Sequence, residues 1–265
     1  MNMINDFLRS LSSDAGTALY NKTGIVCCVA MVAVVIFYLV RMKTKPLDAL
    51  KGLAIAAIAY YFCGYAQHFV TWYRVGFALD NYFRTANIAV SFTLLPLVAW
   101  LCAKTFNTSV GFAGDVTALT LLGMHVPGRS GCTFTGCCYG FPCEWGIYSR
   151  HTGENQFPVV WVESLFTLAI LIFIIVRICR KGYVPDGKNL PYFLLLYGIC
   201  RFFSEMTRES THESWLFWRI SDVHIHMLVM ALVGGYLLYR NIRRAKIATA
   251  SVEDPQLPEL NGVRH

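Results

Sequence analysis

The sequence predicts an all-α integral membrane protein with seven transmembrane helices. Three observations carry that expectation. The chain is 55% hydrophobic and 15% charged, where a soluble domain carries roughly 25% charged residues, and its mean hydropathy is +0.46. Its apolar residues gather into runs of membrane-spanning length. Its basic residues gather into short connections between those runs. A length of 265 residues suits one bundle of spans. The net charge of +7 sits mostly in those connections, which is a signature of topology and of attraction to anionic lipid. No basic stripe interleaved with exposed aromatics points to nucleic acid.

Residues 1–23 are polar, lack a basic start and precede the first apolar run. They are expected to be a short extracytoplasmic segment and not a cleavable signal. The first span is Gly24 to Val40, free of charge and followed at once by Arg41, Lys43 and Lys45. The second covers about Leu47 to Val70. The third runs from about Thr85 to Phe106 and holds Pro96, which a membrane helix tolerates. The fourth, about Gly111 to Pro127, contains Asp115. The fifth is about Phe157 to Ile178, the sixth about Leu190 to Met206, and the seventh about Asp222 to Arg240. The membrane domain is therefore expected over 24–246, with a disordered cytoplasmic tail over 247–265.

Basic clusters at 41–51, 177–188 and 240–246 follow spans one, five and seven. With the first cluster inside, alternation puts all three on the cytoplasmic side. The same alternation puts the amino terminus, the 66–84 loop and the 128–156 loop outside.

The outer loop after the fourth span is the chemical centre of the sequence. Gly128-Arg129-Ser130-Gly131-Cys132-Thr133-Phe134-Thr135-Gly136-Cys137-Cys138-Tyr139-Gly140, with Pro142-Cys143 after it, packs four glycines, four thiols and one arginine into sixteen residues. Glycines let a backbone turn and approach a ligand closely. Arg129 offers a planar fork for a phosphate or carboxylate. The thiols at C-x4-C-C-x4-C do not have zinc-ribbon spacing. They read either as one or two structural disulfides or as a reactive thiol beside Arg129. The other six cysteines (Cys27, Cys28, Cys63, Cys102, Cys179 and Cys200) lie in or beside apolar runs and are expected to fill the core.

Ionisable groups inside spans are expensive and often functional. In the sixth span Tyr197, Arg201, Glu205 and Arg208 are spaced by four, four and three, which puts them on one helical face. Two arginines against one carboxylate leave a spare positive charge for a lipid phosphate, or else form a structural ion pair. Glu163, early in the fifth span, is either an arginine partner or a catalytic group. His125 lies four residues before Arg129 and is expected to be a structural histidine able to reach the loop. His224 and His226 are two apart and do not share a helical face.

These residues resemble the prolipoprotein diacylglyceryl transferase family. Its signature Gly-Arg-x-Gly-Asn-x-x-Asn-Gly-Glu is similar to Gly128 to Cys137, followed here by Tyr139 and Gly140. Its Pro-x-x-Leu-Tyr-Glu-like stretch resembles Pro158 to Glu163. Its Tyr-Gly-x-x-Arg-x-x-x-Glu-x-x-Arg motif is matched fully by Tyr197, Gly198, Arg201, Glu205 and Arg208. Ile220-Ser221 looks like the Ile-Ser motif of its last span. The resemblance covers roughly 111–240. It departs at Cys132 and Thr135, where the family has asparagines, and at Cys137, where it has a glutamate. The family's His-Gly-Gly motif in the third span has no histidine counterpart near Asn87-Ile88-Ala89-Val90-Ser91. That histidine is a candidate general base for the thiol.

The resemblance implies a multi-pass enzyme of the bacterial inner membrane. It would move a diacylglyceryl group from phosphatidylglycerol to a thiol acceptor, on a protein or a small molecule, in lipoprotein biosynthesis. Glycerol phosphate is the leaving group. The catalytic set on this reading is Arg129, Arg201 and Glu205; apart from the resemblance, a thiolate beside Arg129 makes Cys132 or Cys137 the expected reactive thiol and covalent relay. Gly128, Gly131, Gly136, Tyr139, Glu163, Tyr197 and Arg208 would hold the lipid, with Glu205 and Tyr197 orienting Arg201. No cofactor or metal is called for. The cysteine loop also admits a thiol-redox or metal-handling protein on the same scaffold.

Overall fold

The computed structural model describes residues 2–74, 88–136, 138–208 and 222–253. Within them the chain forms eight helices and a two-stranded sheet. The helices are α1 (Asn2–Ser10), α2 (Ser13–Arg41), α3 (Pro46–Arg74), α4 (Ile88–Thr105), α5 (Val110–Thr135), α6 (Val159–Cys179), α7 (Asn189–Met206) and α8 (Asp222–Glu253). The strands β1 (Pro142–Tyr148) and β2 (Asn155–Gln156) pair antiparallel between α5 and α6.

Four helical stretches among the described residues are long and apolar enough to cross a membrane. They are Ser13–Arg41, Pro46–Cys63, Val159–Cys179 and Val223–Ile247. Helix α4 contributes a shorter apolar stretch, Ser91–Thr105. Their outward faces expose Ile25, Val29, Leu165, Ile172, Leu228 and Leu232, as a lipid-facing surface requires. Helices α5 and α7 differ. Gly111 to Gly123 is buried without a break, and α7 buries Tyr197, Arg201, Ser204 and Glu205. These two carry the polar groups in the interior, which lowers their hydropathy. The core around them is Phe92, Leu95, Val116, Leu119, Ile174, Phe193, Leu194, Met227 and Met230, among others.

Several boundaries differ from the sequence expectation. Helix α2 starts at Ser13, because the Ser12 hydroxyl accepts a hydrogen bond from the Ala15 amide at 3.2 Å and caps it. Helix α1 precedes it and docks on β1. The Asn5 side chain donates to the Gly146 carbonyl at 3.1 Å and accepts from the Tyr148 amide at 2.9 Å. Helix α8 continues past residue 246 to Glu253. The rest of the tail, 254–265, and most of the 66–84 loop lie outside the described residues, as do Asn87, Cys137 and Ile220-Ser221.

The largest difference concerns the glycine-rich stretch. It is mostly helix and not loop. Helix α5 runs through Pro127, Gly128 and Gly131 to Thr135, and ends where Gly136 adopts φ +67° and donates to the Cys132 carbonyl at 2.9 Å. Pro127 does not stop the helix, since a buried neighbour can shelter the freed carbonyl. The internal glycines serve helix packing. A side chain at Gly131 would collide with Thr23, and one at Gly123 would meet the Met31 backbone at 2.9 Å. Small residues at this crossing let α2 and α5 approach backbone to backbone.

Candidate active site

Five ionisable side chains from three helices meet in the interior. Helix α5 supplies Arg129, α6 supplies Glu163, and the end of α7 supplies Arg201, Glu205 and the adjoining Arg208. Glu163 is the hub. Its Oε2 lies 2.7 Å from Arg129 Nε, and its Oε1 pairs with Arg201 and lies 3.2 Å from an Arg208 nitrogen. Ser204 donates to Glu163 Oε1 at 3.1 Å. Glu205 Oε2 forms a second node, 2.7 Å from Arg201 and 3.3 Å from Arg208. The carboxylates are almost fully buried, at 2% and 5% side-chain exposure, and Arg201 is at 6%. Burying charge is costly unless it is paired, and here the pairing is dense. Among the described residues three guanidinium groups face two carboxylates, which leaves one positive charge over there.

Local structure explains the convergence. Glu163 sits in the first turns of α6, after Pro158. The Trp161 indole donates to Thr133 Oγ1 at 2.8 Å, and the Ser130 and Ser164 hydroxyls lie 3.1 Å apart. These contacts hold α6 against α5, so Glu163 faces Arg129. Past α7, Gly140 bridges to Arg208, and the Phe141 amide donates to the Thr207 carbonyl at 3.2 Å. A Cβ at Gly140 would meet Phe157 and the Thr207 carbonyl within 3 Å. The strap after α5 thereby fixes Arg208 over the two carboxylates.

A second level of contact lies one helical turn away. The Tyr197 hydroxyl is 2.7 Å from His125 Nε2. Both side chains are buried, and Phe92 and Phe193 enclose them at ring distances of 5.4 to 5.7 Å. Tyr197 bonds to His125 and to Arg129. Glu163 and Glu205 hold Arg201. On α5 the histidine precedes Arg129 by four residues, and on α7 the tyrosine precedes Arg201 by four. Two helices running side by side in the same direction bring both rungs level. That shared spacing is the signal in the sequence that could have found the pair.

The other expected residues fall as follows. Gly128 faces Cys27 of α2, Gly131 faces Thr23, and Gly136 caps α5. Tyr139 stacks on His151 at 5.5 Å and does not reach the charge cluster. Cys132 is buried, with its thiol 3.9 Å from the Gly128 carbonyl. Cys137 lies outside the described residues. A further thiol contact to Arg129 comes from Cys138, at 3.8 Å. No disulfide joins any two of the described cysteines. Of the six thiols expected in the core, Cys27, Cys63 and Cys102 are buried, Cys28 and Cys200 are half-buried, and Cys179 is exposed. No group of three or more metal-ligating side chains gathers among the described residues.

Residues 24–240 match the family model of prolipoprotein diacylglyceryl transferase. Among curated proteins, the chain is 29% identical over 129 residues to phosphatidylglycerol–prolipoprotein diacylglyceryl transferase 2 of Clostridium perfringens, covering 45% of this chain and 47% of that one. It is 24% identical over 164 residues to the phosphatidylglycerol–prolipoprotein diacylglyceryl transferase of Aeromonas hydrophila, covering 61% and 60%. The likeness to the protein of that name from Symbiobacterium thermophilum is 29% over 140 residues, covering 49% and 51%. The chain spans about half the length of the curated relatives it matches.

Proposed function

Since the chain belongs to the prolipoprotein diacylglyceryl transferase family, we propose that it is a membrane transferase acting on phosphatidylglycerol and a thiol acceptor. The observation that carries this reading is the buried cluster of three arginines and two glutamates. Arg201 Nε is buried and has no hydrogen-bond partner among the described residues. A donor in that state suits a ligand oxygen. The surplus charge matches a phosphodiester, and guanidinium groups stabilise the charge that develops on the departing glycerol phosphate.

In this reading Arg129 and Arg201 contact the phosphate, and Glu163 and Glu205 hold the forks in place. Arg208 closes the cluster. Gly128, Gly131 and Gly136 set the path of the chain around the lipid, and Tyr139 flanks it. Cys132 and Cys137 remain the proposed relay thiols. The acceptor is a lipobox cysteine or another thiol. The seven-span topology, with 24–246 in the bacterial inner membrane, belongs to the same proposal. So do the outer face for residues 1–23 and for the cysteine-rich segment, and the inner face for 247–265. The three basic clusters support that orientation. The thiol-redox or metal-handling alternative has no observation in its favour.

The test is transfer of labelled diacylglyceryl from phosphatidylglycerol vesicles to a reduced lipobox peptide by the purified protein. The wild type transfers, and Arg201→Ala falls by about 100-fold or more. A wild type without transfer overturns the reading. For topology, an impermeant thiol reagent labels Cys138 or Cys143 on intact cells, while a tag after His265 stays protected. Labelling only in broken cells reverses the orientation.

A further inference from the structure

The transfer needs a proton acceptor, because a neutral thiol is a poor nucleophile. The chain has no histidine in the third-span stretch where the family resemblance expects one. It has instead a histidine on another helix, hydrogen-bonded to the tyrosine of the sixth-span motif. His125 Nε2 and the Tyr197 hydroxyl are 2.7 Å apart, one helical turn from Arg129 and Arg201 on their respective helices. Arg129 lies within electrostatic reach of His125 and hydrogen-bonds the Tyr197 side chain. Phe92 packs against both rings and Phe193 stacks on Tyr197.

We infer that His125 and Tyr197 form the proton-accepting pair of this centre, with Tyr197 meeting the acceptor thiol and His125 taking the proton through it. The inference rests on the transferase reading. The imidazole is neutral at the start, with its proton on Nδ1, so Nε2 accepts the Tyr197 O–H. The thiol S–H passes its proton to the Tyr197 oxygen as the Tyr197 O–H passes its own to His125 Nε2. The sulfur electron pair attacks the glycerol carbon that bears the phosphate ester, forming C–S. The C–O bond to phosphate breaks, and its electrons stay on the departing glycerol phosphate beside the arginines. The imidazolium then returns its proton through Tyr197 to the leaving phosphate. Atoms and charge balance with no oxidant or metal.

A geometric reason favours this placement over a purely packed histidine. Both polar atoms of the contact sit at the rung adjoining the charged one, so the proton path ends beside the site where the phosphate is held. The charged and titratable groups around the pair are Arg129 on its own helix, Arg201, Glu205 and Arg208 on the α7 side, and Glu163 on α6. From α2, Cys27 faces the next glycine, Gly128. From α8, His224 interacts with Glu205. From α4 the contact is the neutral ring of Phe92.

The test compares wild type, His125→Gln and Tyr197→Phe in phosphatidylglycerol vesicles with a lipobox peptide. Tyr197→Phe keeps the ring and removes only the hydroxyl. Both variants are expected to lose about 100-fold in kcat near pH 7. The KM of His125→Gln for the lipid stays within about twofold, since His125 holds none of the arginines, while Tyr197→Phe also removes a hydrogen bond to Arg129. Their rates rise about tenfold per pH unit between about pH 6 and 8, following the thiolate fraction of the acceptor, while the wild-type profile is flatter. Added imidazole restores His125→Ala. A His125→Gln variant with wild-type kcat and pH profile overturns this inference and leaves the transferase reading standing. Loss of lipid binding in step with loss of rate also overturns it, in favour of packing alone. A wild type without transfer overturns both.

Discussion

Helix α5 carries a buried carboxylate near one end and a buried guanidinium near the other. Asp115 and Arg129 are fourteen residues apart, about 21 Å along the axis. Asp115 meets neutral donors at one oxygen, and its buried Oδ1 has no hydrogen-bond partner among the described residues. The Tyr38 and Tyr183 phenols donate to its Oδ2 at 3.0 and 2.5 Å. Asn189 donates to the Tyr183 oxygen at 2.7 Å and accepts from Arg177 Nε at 2.9 Å. The two cations nearby, Arg177 and Lys188, both pair with Asp186, at 3.3 and 3.0 Å, and Asp186 and Asp115 together equal them in number. At the other end, charge meets charge, and among the described residues one positive charge has no counterpart. The first cluster balances in charge and pins the 180–188 connection to the bundle. In the proposed function an anion completes the second. Buried polarity alone thus does not mark a site; an unbalanced charge does.

The sharpest way to break that contrast is Glu163→Ala. Three guanidinium groups would lose their shared partner, and unpairing a buried ion pair costs about 3 to 5 kcal/mol. Transfer and thermal stability in detergent should fall together. A variant that unfolds like the wild type would mean that the cluster tolerates like charges and that Glu163 is not its hub.

Arg201→Lys is the next in size. A lysine keeps the charge but cannot span Glu163 and Glu205 as a planar fork does. Transfer should fall about 100-fold, or roughly 2.7 kcal/mol, with a much smaller change in unfolding temperature. Equal activity in the lysine variant would reduce the site to a point charge.

Asp115→Asn addresses the other end. It leaves two buried phenols facing a weaker acceptor and should cost about 1 to 3 kcal/mol of stability. Transfer per folded molecule should stay at the wild-type level. If it dropped as far as in Arg201→Lys, the two clusters would be one coupled device and the contrast would fail.

The smallest effect belongs to Tyr183→Phe, at about 1 kcal/mol. Burial, with the nearby Asp115 carboxylate, raises the Tyr183 phenol above its ordinary 10.0. The folded state then holds this proton where the unfolded chain releases it. Its contribution to stability is fully present below pH 10 and is lost as pH rises above that value. Alkaline unfolding curves of the wild type should bend downward there, and those of Tyr183→Phe should be flatter. Identical curves would remove Tyr183 from the latch.

What the sequence determined by itself was everything whose physics is local. Apolar runs of span length identify the α2, α3, α6 and α8 helices, because lipid demands a continuous apolar face. The i, i+4 and i+3 spacing of Arg201, Glu205 and Arg208 already implied their pairing, since one turn of α7 sets it. The glycine-rich stretch misled for the converse reason. Gly128 and Gly131 are locally permissive and read as a loop, yet contact with α2 keeps them helical. Only the tertiary structure decided which partner each buried charge finds. Glu163 meets Arg208 across 45 residues, and Tyr197 meets His125 across 72. Those separations are crossed by helix packing, and no periodicity in the chain encodes which faces come together.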